Sequence, residues 1–108
     1  MTVFEFAKKH DINILCGESD KEFTGCYIGD LLSFVISKAS PDYMWITIMS
    51  NVNVAAVVTL TEVACITLVD GVTPDNDLRN KAAELDIIIL QTSKSAYEIA
   101  CLVNSENI

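Results

Sequence analysis

The stretch that decides the fold is residues 62–91, EVACITLVDGVTPDNDLRNKAAELDIIILQ. It holds two short apolar runs rich in β-branched residues, 64–69 and 87–90. Between them, the spacing of apolar residues over 75–85 predicts a helix, after a break at 70–74. Strands that are apolar on both sides and joined by a crossover helix are typical of a parallel sheet with both faces covered. We therefore predict that the two runs are neighbouring parallel strands.

The rest of the chain extends this pattern into an alternation of strands and helices. Further strands are predicted at 12–16, 22–28 and 43–48, and further helices at 3–9, 29–39 and 92 onward. Such alternation predicts a three-layer α/β fold with a mainly parallel sheet of about five strands and helices on both faces. The length of 108 residues predicts a single domain, residues 1–108.

Residues 52–63 are ambiguous between strand and helix. Apolar residues alternate there as in a strand, whereas Asn51 is a good N-cap for a helix. A connection between parallel neighbours requires about a dozen residues, so we predict a helix over 52–63.

Local signals predict how the helices begin. Thr2 with Glu5, and Ser95 with Glu98, have the spacing of capping boxes, although Thr92 or Ser93 also suits the start of the last helix. Pro74 suits the first position of the helix over 75–85. The helix that ends near Ala39 is predicted to be capped by Gly29 and Asp30 and to have one apolar stripe, formed by Leu31, Leu32, Val35, Ile36 and Ala39.

Composition argues against several classes of partner. The net charge is −8, with seven Lys and Arg against fifteen Asp and Glu, so binding to nucleic acid or to an anionic membrane surface is disfavoured. The longest uncharged stretch, 43–61, is long enough to suggest a membrane span, but Ser50, Asn51 and Asn53 interrupt it. No basic segment precedes an apolar one at the N-terminus, as it does in a signal peptide, and we expect a cytoplasmic protein.

The reactive residue types do not form a catalytic or metal-binding pattern. The four cysteines, at 16, 26, 65 and 101, include no C-x-x-C pair, and His10 is the single histidine. Buried, reduced thiols are the simpler interpretation, and His10 is expected at a helix end rather than in a metal site. We therefore expect no metal, no cofactor and no enzymatic activity, with a small hydrolase as the remaining catalytic alternative.

Residues 20–32, DKEFTGCYIGDLL, resemble the signature of the DRTGG domain family. In that signature Asp-Arg is followed, after a short spacer, by Thr-Gly-Gly, an aromatic residue and an Asp-Leu-Leu helix start. The similarity continues at 45–47, 51–53, 69–71, 74–75 and 92–98, and so covers nearly the whole chain. Lys21 replaces the arginine and Cys26 the second glycine. Lysine lacks the planar fork that binds phosphate with two hydrogen bonds, and a side chain at 26 obstructs a backbone approach that glycine permits.

The resemblance implies a fold similar to the N-terminal domain of bacterial HPr kinase/phosphorylase. The family also occurs beside nucleotide-sensing CBS domains in a pyrophosphatase and in front of some phosphotransacetylases, where it is accessory or dimerising rather than catalytic. Stand-alone copies of this length look like those of anaerobic bacteria, often encoded near iron-only hydrogenase components. The resemblance thus implies a regulatory or assembly module that homodimerises and that can bind another protein partner.

An alternative function is sensing of a nucleotide or a phosphorylated metabolite. In parallel sheets ligands bind beyond the carboxyl ends of strands, where amides at helix N-termini can hold anions. The simpler interpretation, which we favour, is that the same small polar residues cap helices. The candidate ligand residues at the strand ends are Ser50, Asn51, Asn53, Asp70, Gly71, Thr73, Thr92 and Ser93, and those in the motif loop are Asp20, Lys21, Thr24 and Gly25.

Aromatic side chains are the candidates for a self-interface, because such residues are enriched at interface cores. They are Tyr27, Phe34, Tyr43 and Trp45, and core packing is the alternative for each. The sequence therefore predicts a regulatory or assembly module first and a small-molecule sensor second.

Overall fold

Ten short elements alternate along the chain, as the sequence predicts. The computed structural model describes all 108 residues. The strands are β1 (Asn13–Cys16), β2 (Cys26–Ile28), β3 (Met44–Thr47), β4 (Cys65–Leu68) and β5 (Ile89–Gln91). The helices are α1 (Val3–Lys9), α2 (Leu32–Lys38), α3 (Asn53–Thr61), α4 (Asn76–Leu85) and α5 (Ala96–Ser105).

The five strands form one sheet in the order β1-β5-β4-β3-β2. The four strands β2, β3, β4 and β5 are parallel, and β1 pairs antiparallel with β5 at one edge. Ile66 of β4 lies in register with Trp45 of β3 and Ile89 of β5. The predicted parallel pairing within residues 62–91, and the mainly parallel five-stranded sheet, are therefore confirmed.

Two hydrophobic clusters, one on each face, bury the sheet between helices. On one face, α1 and α5 contribute Phe6 and Ile99 to a cluster that includes Cys65 of β4. On the other face, α2, α3 and α4 contribute residues such as Val35, Val58 and Leu78 to a cluster that includes Ile66 and Leu68. Successive side chains of β4 thus point to opposite, covered faces, which explains why this run is apolar throughout.

The ambiguous segment is a helix, α3, as predicted. Its buried positions include Val54, Val58 and Thr61, which recur at helical spacing rather than at every second residue. The requirement to cross from β3 to β4, its parallel neighbour, outweighs the β-branched composition of the segment. The alternation of apolar residues over 52–60 has no counterpart in the structure.

Two predicted capping boxes are confirmed. The Thr2 side chain accepts a hydrogen bond from the Glu5 amide while the Glu5 carboxylate accepts one from the Thr2 amide. Ser95 and Glu98 make the same reciprocal pair at α5. The last helix therefore starts from Ser95 and not from Thr92 or Ser93.

Two other predicted helix starts are wrong. Pro74 lies before α4, whose N-cap is Asp75, because the Asp75 carboxylate accepts a hydrogen bond from the Leu78 amide at 2.8 Å. Gly29 and Asp30 do not cap α2, which begins after Leu31 without a side-chain cap. The Asp30 carboxylate instead accepts hydrogen bonds from the Thr47 hydroxyl at 2.7 Å and the Ile48 amide at 3.0 Å.

The predicted apolar stripe of α2 is only partly buried. Val35 is the buried residue of the helix, whereas Leu31 and Ile36 are exposed and Leu32 and Ala39 are half-buried. A helix of seven residues at the edge of the sheet covers little surface, so two of its four apolar side chains, Phe34 and Ile36, are exposed.

The long uncharged stretch 43–61 divides into β3 and α3 within the fold. No helix has both the length and the continuous apolar character needed to cross a bilayer.

Thr67 offers a test of how the sheet is packed. Its hydroxyl is fully buried and has no strong hydrogen-bond partner. The nearby group is the thiol of Cys65, two residues away along the strand, and a thiol is only a weak hydrogen-bond acceptor. Because burying an unpaired hydroxyl is unfavourable, Thr67→Val should raise the free energy of unfolding by about 1 kcal/mol in urea denaturation.

Thr61→Val is the matched control for this substitution. The buried Thr61 hydroxyl donates to the Val57 carbonyl at 2.8 Å, so its loss should not stabilise the protein. Equal changes in the free energy of unfolding for the two substitutions would show that the Thr67 hydroxyl has a hydrogen-bond partner in solution.

Candidate functional site

The carboxyl ends of β2, β3, β4 and β5 meet at one edge of the sheet, because these strands are parallel. The loops that follow β3, β4 and β5 bring one group of predicted ligand residues to this edge. We call this group the strand-end cluster; it consists of Ser50, Asn51, Asn53, Asp70, Gly71, Thr73, Thr92 and Ser93.

Backbone hydrogen bonds tie the loops of the strand-end cluster to one another. The Asp75 amide donates to the Ser50 carbonyl at 3.0 Å, which joins the loop after β3 to the start of α4. The Gly71 amide donates to the Thr92 carbonyl at 3.0 Å, and the Asp70 amide donates to the carbonyl of residue 94 at 2.9 Å. The amides of Asp70, Gly71 and Asp75 are therefore already used within the chain.

Part of the cluster caps local backbone, as the simpler interpretation proposed. The Asn51 side chain accepts a hydrogen bond from the Asn53 amide at 2.9 Å. The Thr92 hydroxyl accepts one from the Lys94 amide at 3.1 Å. These two side chains hold the turns that lead into α3 and α5.

The electrostatics of this edge do not favour an anion. Asp70 belongs to the strand-end cluster, and Asp30, Asp75 and Asp77 lie at the same edge, whereas Lys94 is the basic residue of the loop after β5. Asn53 is the one member of the cluster that lines a cavity, and that cavity runs away from the edge between α3 and α4. A polyphosphate bound here would meet more negative than positive charge.

The motif loop lies at the amino ends of the parallel strands, opposite the strand-end cluster, so the two predicted groups do not form one site. Thr24 donates its amide to the Asp42 carbonyl, and the Gly25 carbonyl accepts from the Met44 amide at the start of β3. The Lys21 carbonyl accepts a hydrogen bond from the Val3 amide at 2.8 Å. The loop thereby connects the amino ends of the parallel strands to α1.

Asp20 and Gly25 have structural roles in this loop. Partial burial opposes ionisation of Asp20, but hydrogen bonds from Thr2, Phe4 and Lys21 outweigh it and lower the pKa of the carboxyl. A Cβ on Gly25 would lie 3.1 Å from the ring of Tyr43, closer than most such contacts. Cys26, which departs from the family signature, is half-buried in β2 and packs against the core.

The four aromatic candidates for a self-interface differ in exposure. Trp45 is fully buried and its indole nitrogen donates to the Gly29 carbonyl at 2.8 Å, so it has no surface to offer a partner. Tyr27 and Tyr43 are half-buried against the core. Phe34 is 58% exposed.

Further exposed apolar side chains lie near the start of α2. Leu31 precedes it by one helical turn, and Ile28 ends the edge strand β2. Ile48 joins the group because its amide is bound to Asp30, which adjoins Leu31 in sequence. We call these four residues, Ile28, Leu31, Phe34 and Ile48, the β2–α2 patch. Phe34 was the one member that the sequence singled out.

Three cavities open on other surfaces. One of about 550 Å³ lies between α3 and α4, and one of about 450 Å³ adjoins it near Lys21 and Glu62. A third, of about 320 Å³, lies between the end of β1 and the end of α4 and includes Cys16 and Asp86. The sequence did not predict these cavities, because each is formed by elements that are distant along the chain.

Glu106 forms an ion-pair cluster that the sequence also missed. Its carboxylate lies 2.7 Å from His10 Nε2 and 2.9 Å from Lys9 Nζ, which joins the end of α5 to α1. Hydrogen bonds from Lys9 and then His10 lower the pKa of Glu106. His10 does lie at a helix end, but it has an acidic partner 96 residues away in sequence.

The side chains offer little for covalent or metal chemistry. Burial raises the pKa of the Cys65 thiol to about 12 and also raises the pKa of Cys16 and Cys26. A raised pKa leaves less of the reactive thiolate. No group of three or more His, Cys, Asp or Glu side chains is arranged to hold a metal ion.

Comparison with known proteins supports the fold. The chain matches no protein-family model and no curated protein. It is similar to the crystal structure of the CBS and DRTGG domains of the regulatory region of Clostridium perfringens pyrophosphatase, which was complexed with the activator diadenosine tetraphosphate. The TM-score is 0.74 at 12% sequence identity, over 94% of this chain and 45% of the other. At this identity the likeness shows a DRTGG-like fold alone, and the chain spans less than half of that regulatory region.

Asp86 allows a test of whether its charged carboxylate stabilises the fold. Its carboxylate accepts hydrogen bonds from the amides of Glu18 at 2.8 Å and Ser19 at 3.4 Å, and these bonds lower its pKa below the usual 3.8. A lowered pKa in the folded state stabilises the fold above the ordinary value, and this stabilisation is lost as the pH falls through the lowered one. Asp86→Asn should therefore be less stable than wild type at pH 7, with the difference shrinking as the pH falls below 3.8.

Urea denaturation across this pH range measures the difference. Asp11→Asn is the matched control, because Asp11 has the same left-handed backbone, with φ 56° against 54° for Asp86, but is exposed where Asp86 is half-buried. A deficit of Asp86→Asn that is the same at low and neutral pH would contradict the role given to the charged form.

Proposed function

We propose that this chain is a non-enzymatic regulatory or assembly module that homodimerises through the β2–α2 patch. The observation that supports the proposal is the clustering of four exposed apolar side chains around the loop between β2 and α2. Leu31 and Phe34 are 62% and 58% exposed. A contiguous apolar surface at the edge of a small sheet is typical of an interaction site.

The composition of the patch suits a second copy of the chain. Asp30 adjoins Leu31 of the patch in sequence, and the carboxylate of Asp30 is already bound to Thr47 and Ile48. Two copies related by a twofold axis would bring the same apolar surface together without opposing two unpaired charges. The resemblance to dimerising accessory domains, and the fold likeness to a regulatory region, support the same proposal.

The proposed biological setting follows from the cysteines and from the family resemblance. A cytoplasmic location is consistent with four free cysteines, because thiols stay reduced there. An accessory role beside an iron-only hydrogenase system in an anaerobic bacterium rests on the resemblance alone. Co-purification of iron-only hydrogenase components with the tagged chain would test that role, and their absence would count against it.

Phe34→Asp tests the proposed dimer. The wild-type chain should sediment as a dimer at high concentration and dissociate on dilution. Placing a charge in the centre of the patch should weaken the dimer by at least about a hundredfold, because a buried unpaired charge is strongly unfavourable.

Tyr97→Asp is the matched control, since Tyr97 is 77% exposed on α5, on the other face of the sheet. It should leave the dimer unchanged. A wild-type chain that is monomeric at every concentration would overturn the proposal.

A second candidate function is the sensing of a nucleotide or phosphorylated metabolite at the strand-end cluster. The fold neighbour was complexed with a dinucleotide activator, and the carboxyl ends of four parallel strands converge at this edge. The acidic surroundings and the bonded loops place this candidate second.

A thermal-shift screen with diadenosine tetraphosphate, adenine nucleotides and sugar phosphates tests the sensor. A ligand at a hundred times its Kd adds about 2.7 kcal/mol to the free energy of unfolding. Lys94→Ala should abolish the shift, whereas Lys38→Ala, at the far end of α2, should not. The absence of a shift with every compound would exclude these ligands.

A further inference from the structure

A continuous groove runs along α3 and ends among carboxylates. Its upper part, about 550 Å³, is lined by α3 and by Lys81 and Leu85 of α4. The cavity of about 450 Å³ below it shares Thr59 and Leu85 with this upper part, so the two are contiguous. We call the combined surface the α3–α4 groove.

The upper part of the groove is apolar and uncharged on the α3 side. No residue of α3 is charged, and Val52, Ala56 and Leu60 are exposed at intervals of four residues. Leu60 is 68% and Leu85 46% exposed. Lys81 is the one charge in this part, and it faces Glu84 at 3.7 Å. The four-residue spacing of Val52, Ala56 and Leu60 suits contact with the apolar side of a helix that lies in the groove.

The lower end of the groove is negative. Asp42, Glu62 and Asp86 line it, against the single cation Lys21. Glu62 and Asp86 are the C-caps of α3 and α4, so the partial negative charge of two helix C-termini adds to the carboxylates. None of these four residues forms a salt bridge within the chain.

From this combination we propose that the α3–α4 groove binds an amphipathic helix of another protein, with apolar residues along one side and basic residues at one end. The apolar side fills the surface between Val52, Leu60 and Leu85. The basic end lies against Asp42, Glu62 and Asp86, where complementary charge orients the helix.

A second copy of this chain does not match the groove. The exposed apolar helix α2 has one basic residue, Lys38, and α3 and α5 have none. Helix α1 has Lys8 and Lys9, but Val3, Phe6 and Ala7 on its apolar side are buried. Helix α4 has Arg79 and Lys81, but it forms one wall of the groove and buries Leu78 and Ala82. No other helix combines an exposed apolar side with several basic residues, so the proposed occupant is a different protein.

The test uses the full chain and two synthetic helical peptides of about 18 residues, a length that spans the groove. Both peptides have the same leucine and alanine side, and one has lysines in a terminal turn where the other has glutamates. Fluorescence anisotropy at low salt should show the lysine peptide binding at least about tenfold more tightly than the glutamate peptide.

Two variants and two matched controls locate the binding. Asp42→Asn with Glu62→Gln should weaken binding of the lysine peptide about fivefold, and raised salt should reduce that difference. Leu60→Gln should weaken it about tenfold through lost apolar contact. Asp11→Asn with Glu22→Gln, on the α1 side of the sheet, and Tyr97→Gln on α5 should leave binding unchanged.

Several outcomes would overturn the proposal. These are no binding of the lysine peptide, equal binding of the two peptides, or equal losses in the control variants. Sedimentation of Leu60→Gln separates this groove from the proposed dimer surface. A loss of self-association in that variant would show that a second copy occupies the groove.

Discussion

The fold depends on burying β4 from both sides. Ile66 and Leu68 face the cluster beneath α2, α3 and α4. Ala64, Cys65 and Val69 face the cluster beneath α1 and α5. A strand with no solvent-facing side requires helices on both faces, and the parallel neighbours β3 and β5 require crossovers long enough to form those helices. The order of elements along the chain and the three layers both follow from this single requirement.

The same requirement determines which surfaces remain available for binding. Parallel strands place four loops at their carboxyl ends, where backbone hydrogen bonds between loops use the amides of Asp70, Gly71 and Asp75. Three helices on one face of a small sheet cannot all turn their apolar side chains inward. The uncovered side chains of α2 and α3 are what the fold leaves exposed, and they favour association over small-molecule chemistry.

Several local patterns could be predicted, although those at Pro74 and Gly29 misplaced the helix starts. Contacts between side chains that are distant in sequence could not be predicted. The capping boxes at Thr2 and Ser95 and the central strands are local patterns, and they are confirmed. The role of Asp30 was missed because its partners, Thr47 and Ile48, lie 17 and 18 residues away. The placement of the motif loop opposite the strand-end cluster, like the pairing of His10 with Glu106, is likewise set by topology rather than by spacing.

We propose that the chain associates through an exposed apolar surface. Amide hydrogen exchange, followed over a range of protein concentration, is the most direct test of this association. Self-association at the β2–α2 patch predicts that amides of β2 and α2 exchange more slowly at high concentration, while those of α5 exchange at the same rate at every concentration. Exchange that does not depend on concentration in β2 and α2, or protection confined to α5, would contradict the proposed interface.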